Sequence, residues 1–418
     1  MPPEKDDLAA DRRAAASRFV AELGATMSAA NYPVTMVRAV MEGTSKAYGL
    51  DNHFLALPNY VQVGSPLGDS LYIANTDYVL RYDQSFPLAQ LVARAPSGTV
   101  NPEEGMAELE RIRNLDKRFP VWLTIIGYAV QSMGLALILQ PTPWSLVGAA
   151  VLGLLVGALS VVGRRVDSIG YMLPTICAFL VALIVFTFNR HWHVGIDSLR
   201  ALAAPLAVFL PGAAITLAVI ELSTRHVVSG ASRLVAGFMQ IVQLAFGILI
   251  AAQVAGIADS NLVTTEMNRL GPWAPFLGVA VYGLGAMLNF GPPTRFLPWM
   301  LLMLYTAYAG QWLGNALLGS YASGFGGGLT LILFALAISH RPNTPPTVSL
   351  VLPGFWLLVP GSLGFMGMTQ LLGTHSTAMF TATLISMMSI AVGVQSGLVL
   401  WRAAIQLTGN PRRRALHD

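Results

Sequence analysis

The chain has 418 residues, 54% of them hydrophobic and 11% charged, with a formal net charge of +4 and a single cysteine. This is too apolar for an ordinary soluble protein of that length. It also excludes an internal disulfide, a cysteine metal cage and, with no basic stripe carrying interleaved aromatics, a nucleic-acid binder.

The charge is unevenly placed: 15 of the 21 acidic residues and all three lysines lie in the first 119 positions. Met1 to Phe19 is polar and lacks the apolar stretch of a secretory signal, so the N-terminal part is expected to stay in the cytoplasm. Residues 17–49 read as two helices split before Pro33. Residues 54–63 and 70–75 read as strands around Gly64-Ser65-Pro66-Leu67-Gly68, and 87–95 and 102–117 as further helices. The last opens on Asn101-Pro102-Glu103-Glu104, a cap followed by a first-turn proline and early acids. The expectation is a small cytoplasmic α/β domain over residues 1–119.

From Pro120, apolar stretches of bilayer-crossing length recur, each about 20 residues. They run roughly over 120–139, 144–163, 171–188, 199–221, 234–257, 272–290, 296–313, 316–338, 347–371 and 378–401. With a cytoplasmic start, the inner connections carry 14 Lys and Arg, among them Arg164, Arg165, Arg225, Arg233 and Arg412 to Arg414, against Arg190, Arg200 and Arg269 outside. That split follows the positive-inside rule. The expected fold class is an α-helical membrane protein of about ten transmembrane helices with both ends inside. Residues 120–257 and 258–402 would form two five-helix repeats, and 403–418 a basic cytoplasmic tail.

Two of these stretches are interrupted. Pro205 followed by Leu210-Pro211-Gly212 in the fourth recurs as Pro353 followed by Val359-Pro360-Gly361 in the ninth. Proline removes a backbone donor and obstructs the preceding turn, so such a break at mid-depth is tolerated where protein or a water-filled cavity satisfies the freed groups. Five spans is an odd number, so repeats five spans apart are inverted, an arrangement commonly found in transporters with a midplane site.

Six carboxylate side chains follow Pro120: Asp167, Asp197, Glu221, Asp259, Glu266 and Asp418. Glu221, near the cytoplasmic end of the fourth span, can take up protons if desolvated, or pair with Arg225 at i+4; the pairing is the favoured reading. Asp197 reads as an outer-loop residue with a proton acceptor as the alternative. Gln240, Gln243 and Gly247 share a helical face. These amides, with Gln370, Gln131 and Asn289, suit interhelical glue first and substrate contact second. No HExxH, GxSxG, Walker lysine or metal-ligand cluster occurs, so no enzyme, metal or cofactor is expected.

In this order the features resemble the threonine/serine exporter family from about Phe19 to Arg402. The resemblance is carried by Leu23-Gly24 with Tyr48-Gly49-Leu50, Gly98…Pro102-Glu103-Glu104-Gly105…Leu109…Ile112, both Pro-Gly breaks, and Glu221 with Ser229-Gly230…Ser232-Arg233-Leu234. It implies export of L-threonine and L-serine across a bacterial plasma membrane, driven by the proton motive force. The partners would be a small amino acid, protons and the lipid bilayer, with room for a homo-oligomer. Half-helices after Pro211-Gly212 and Pro360-Gly361 would present free N–H groups to a substrate carboxylate, and a substrate hydroxyl would meet Gln240, Gln243 or Gln370. Glu221, Arg225, Arg233 and Asp197 are the candidates for proton coupling, which must be asymmetric, because the second half has no counterpart of Glu221 or Arg233. A dicarboxylate exporter is the first alternative, a membrane receptor or assembly scaffold the second.

Overall fold

The computed structural model describes residues 5–65, 71–76, 78, 80–139, 142–163, 166–192, 198–257, 270–319, 322–339, 344–345, 347–358, 367–370 and 377–408. Contacts divide the chain into two compact units, one of Met1–Arg118 with Leu217–Leu234, the other of Phe119–Thr216 with Val235–Asp418.

In the first unit, α1 (Lys5–Ala29) and α2 (Val34–Ala47) precede a three-stranded antiparallel sheet. Helix α1 ends where Asn31 takes the left-handed conformation (φ 60°), which asparagine tolerates, and Pro33 forces the chain out before α2. Helix α2 ends at Gly49 (φ 69°), with the Leu50 N–H returning to the Ser45 carbonyl at 2.9 Å. Phe19, Leu23 and Met27, spaced by one helical turn, are completely buried; each contributes about 1.5–3 kcal/mol of apolar burial.

The apolar run expected as one strand over 54–63 is two, β1 (His53–Ala56) and β2 (Tyr60–Gly64), pairing Leu55 with Gln62. Leu57-Pro58-Asn59 turns between them because Pro58 has no N–H for a ladder. Strand β3 (Leu71–Asn75) completes the sheet with Gln62 opposite Ile73. One face, Ala56, Val61, Val63 and Ala74, is buried. Helix α3 (Ser85–Arg94) and helix α4 (Pro102–Arg113) follow. The Asn101 side chain accepts the Glu103 N–H at 3.1 Å, and at the other end Gln84 Nε2 donates to the carbonyls of Ile112 and Arg113 at 2.9 and 2.8 Å. Both ends of α4 are thus satisfied. Burial pushes the Tyr32 and Tyr82 phenols well above their ordinary range, so both remain neutral.

The remaining helices are α5 (Val121–Leu139), α6 (Pro143–Gly163), the short α7 (Asp167–Gly170), α8 (Leu173–Trp192), α9 (Ser198–Leu206), α10 (Gly212–Ser223), α11 (Val227–Ala255), α12 (Ala274–Phe290), α13 (Leu297–Leu318), α14 (Ser323–Ser339), α15 (Thr347–Leu358) and α16 (Ala378–Thr408). Among the described residues, α5, α6, α8, α11 and α16 are long and apolar enough to cross a bilayer, and α9 with α10 forms a sixth candidate bent by 61°. Helices α12, α14 and residues 349–358 of α15 are apolar but shorter. This is a multi-pass α-helical membrane protein.

Within the second unit, α5 and α12 pack antiparallel and very closely. A methyl on Gly127 would collide with Leu288 and Asn289, and one on Gly278 with Leu137 and Ile138. Likewise, one on Gly134 would strike the Tyr282 backbone, and one on Gly285 the Gln131 backbone. Small residues let helix backbones approach and gain dispersion contacts where no hydrophobic force separates helix from lipid. Leu135 and Ala136 of α5, Tyr282 and Ala286 of α12, Ala204 of α9 and Leu357 of α15 belong to one buried cluster.

Candidate functional site

The break after α9 runs through a 3₁₀ turn over 207–209 and an extended Leu210 before α10 starts. Pro211 supplies no N–H, and the carbonyl of Phe209 is satisfied from another helix: Gln240 Nε2 on α11 donates to it at 2.7 Å. Gln240 is therefore the interhelical clasp of the break. Pro211 and Gly212 are both buried. The backbone of Gly212 has no left-handed φ, and no described atom lies within 4 Å of a methyl added there. Among the described residues nothing packs against the first turn of α10 at Gly212, and its leading N–H groups precede its first helical bond, from Ile215 N–H to the Pro211 carbonyl at 3.0 Å.

Glu221 lies two residues before the end of α10 and is fully buried. Its carboxylate accepts the Val34 backbone N–H at 3.1 Å and the Ser229 hydroxyl at 2.8 Å, and Arg233 Nε stands 3.3 Å away. Val34 is the first residue of α2, whose preceding Pro33 offers no side-chain cap, so Glu221 caps α2 from 187 residues away. This corrects the expected Glu221–Arg225 pairing. Helix α10 ends at Ser223, and Arg225 is exposed with φ 66°, so the i+4 geometry is lost. Gly230 instead brings α11 back close against α10, since a methyl there would meet the Ala218 carbonyl and Leu222, and that return sets Ser229 and Arg233 on the carboxylate. The Arg233 contact is one of opposite charges without hydrogen-bond alignment: its Nε and Nη2 are buried without an acceptor.

A second polar cluster sits at the α5–α12 crossing. Asn289 Nδ2 donates to Gln131 Oε1 at 2.9 Å, and the buried Tyr282 also meets the Gln131 side chain. At the end of α12, Phe290 stacks on Trp356 of α15, centroids 4.2 Å apart. Of the other candidates, Gln243 is exposed, whereas Gly247 packs against Thr175, Ala178 and Phe179 of α8, so the face shared with Gln240 does not act as one surface. Gln370 is buried. Pro360, Gly361 and Asp197 lie outside the described residues.

Sequence reasoning named Gln131 and Asn289 singly and missed their pairing; it named Ser229 beside Glu221 without the hydrogen bond between them, and missed Val34, Tyr282 and the Phe290–Trp356 stack. One signal was available: Gly127 and Gly134 have the same spacing as Gly278 and Gly285, 151 residues further on. Val34 contributes through its backbone, which no side-chain pattern announces.

Comparison with known proteins gives a consistent picture. The chain is 24% identical over 375 residues to pheromone-regulated membrane protein 10 of Saccharomyces cerevisiae (strain YJM789), covering 83% of this chain and 46% of the relative. It is 23% identical over 302 residues to the protein of that name from Kluyveromyces lactis, covering 70% of this chain and 31% of the relative. The chain thus spans less than half the length of these relatives. No solved structure matches. Residues 18–255, more than half of the chain and including the α9–α10 break, Gln240 and the Glu221 cluster, match the family described as "putative threonine/serine exporter", and the chain belongs to that family.

Proposed function

We propose that this protein is a secondary active exporter of small amino acids, L-threonine and L-serine, across a bacterial plasma membrane. Proton antiport drives it, and both termini are cytoplasmic. The observation that carries this reading is the 61° break between α9 and α10, where no described atom lies within 4 Å of a methyl added at Gly212 and the freed Phe209 carbonyl is held by Gln240. A helix start presents N–H groups and a positive dipole end, which suit the carboxylate of an amino acid.

The proposed architecture is ten spans in two inverted five-helix repeats, and recurrent packing supports it. The contacts of Gly127 and Gly134 with α12 are repeated by Gly278 and Gly285 with α5. Gly153 against Ser132 is matched by Gly283 against Leu304, again 151 residues on. Gly247 against Phe179 is matched by Gly393 against Phe325, 146 residues on. On this reading α5, α6, α8, α9–α10 and α11 correspond to α12, α13, α14, α15 with its continuation, and α16. Ala204 of α9 and Leu357 of α15 both belong to the buried cluster at the central α5–α12 pair.

A dicarboxylate exporter would want fixed positive charge without a nearby carboxylate, whereas the buried Arg233 stands beside Glu221. Efflux of labelled threonine, serine and succinate from preloaded proteoliposomes, with and without a pH gradient, tests the reading. Threonine and serine efflux that rises when the outside is made acid is expected. Movement of none of the three under any gradient would leave a membrane receptor or scaffold.

A further inference from the structure

We propose that Glu221 and Arg233 form a clamp for the zwitterionic head of the substrate, with the substrate ammonium on the Glu221 carboxylate and its carboxylate on Arg233 Nη2. The inference rests on the amino-acid exporter reading and adds to it a second, inner station for the substrate, nine residues along α10 from the helix start at Gly212. Both side chains are more than nine-tenths buried, Glu221 completely. Nη2 of Arg233, with two N–H donors, has no acceptor, and neither has Nε. A buried guanidinium left in that condition carries a desolvation cost that an incoming carboxylate would relieve, and the planar fork of arginine suits a carboxylate's two oxygens.

Glu221 is held in place by two neutral donors, the Val34 N–H and the Ser229 hydroxyl, and its guanidinium contact at 3.3 Å lacks hydrogen-bond alignment. Three contacts leave a carboxylate with capacity for a further donor. The pair thus offers one acceptor and one donor of opposite charge side by side, the complement of an α-amino acid head. The same arrangement repels a dicarboxylate at Glu221.

The test uses the full chain in detergent and in proteoliposomes, with L-threonine, threoninol (no carboxylate) and 3-hydroxybutyrate (no ammonium) as ligands. The wild type is expected to bind threonine at least tenfold more tightly than either analogue. Arg233→Gln should bring threonine down to the level of threoninol while still disfavouring 3-hydroxybutyrate; Glu221→Gln should do the reverse. Arg233→Lys and Glu221→Asp, which keep the charges, should keep the wild-type ranking, and melting curves and size-exclusion profiles of the neutral variants establish that they remain folded. Neutral variants that bind threonine more weakly but discriminate between the analogues as the wild type does would overturn the clamp and leave the exporter reading standing. A wild type that neither binds nor moves threonine or serine would overturn both.

Discussion

Gln240 Nε2 donates to the carbonyl of Phe209 at 2.7 Å and so satisfies an acceptor that the extended Leu210 leaves without a helical partner at the break. In an apolar surround a carbonyl left unpaired costs about 1–3 kcal/mol. Gln240→Leu, of similar size but with no donor, should therefore lower thermal stability by an amount of that order and slow transport. Differential scanning fluorimetry of the purified protein, with transport normalised to membrane expression, checks it. An unchanged melting temperature would mean that the carbonyl finds water instead.

Pro211 and Gly212, adjacent in sequence, should behave differently. Pro211→Ala restores an N–H and removes the obstruction to the preceding turn, so the bend is no longer enforced and turnover should fall severalfold. Gly212 has neither a left-handed backbone nor a described neighbour within 4 Å of an added methyl. Gly212→Ala should therefore fold with wild-type stability. If the space beside it receives substrate, its effect appears in the apparent KM, whereas Pro211→Ala acts on turnover. Concentration series of threonine efflux for the two variants separate these effects.

The glycines at the α5–α12 crossing allow a sharper stability prediction. Gly285→Val would place a branched side chain on the Gln131 backbone, which cannot move as a flexible side chain can. Overpacking of this kind costs about 1–3 kcal/mol or more, so the variant should show reduced yield of folded protein and early melting. Gly148→Ala, where a methyl meets nothing described within 4 Å, is the matched control and should be neutral. Size-exclusion profiles and melting curves compare the two.

What was legible in the sequence is what local chemistry fixes. Helix ends at Pro33 and Gly49, the Asn101 cap and the break at Pro211 follow from residues within a few positions of the event. The split of residues 54–63 into two strands turned on one proline, whose missing N–H outweighed a continuous apolar pattern. The partner of Glu221 was not legible for another reason. The i+4 rule assumes that the helix continues, whereas α10 stops at Ser223 and the pairing is set by a hairpin that Gly230 draws tight. Nor does any side-chain pattern foretell that a carboxylate will cap a helix 187 residues away.

That cap leads to a last prediction, about stability. Removing Glu221 alone leaves Arg233 buried without its counter-charge and the α2 N-terminus without its acceptor, and breaking a buried pair in this way costs about 3–5 kcal/mol. Glu221→Ala should therefore destabilise strongly. Arg233→Ala should also destabilise, but less, since the carboxylate keeps the Val34 N–H and the Ser229 hydroxyl. In the double variant no buried charge remains unpaired, so its loss should be smaller than the two single losses combined. A melting-temperature cycle over the four proteins measures that coupling, and additive losses would show that the 3.3 Å contact contributes nothing beyond its two separate environments. If coupling is present, hydrogen exchange at the start of α2 should rise in Glu221→Ala and stay near wild type in Arg233→Ala, because the helix start loses its acceptor in the first variant only.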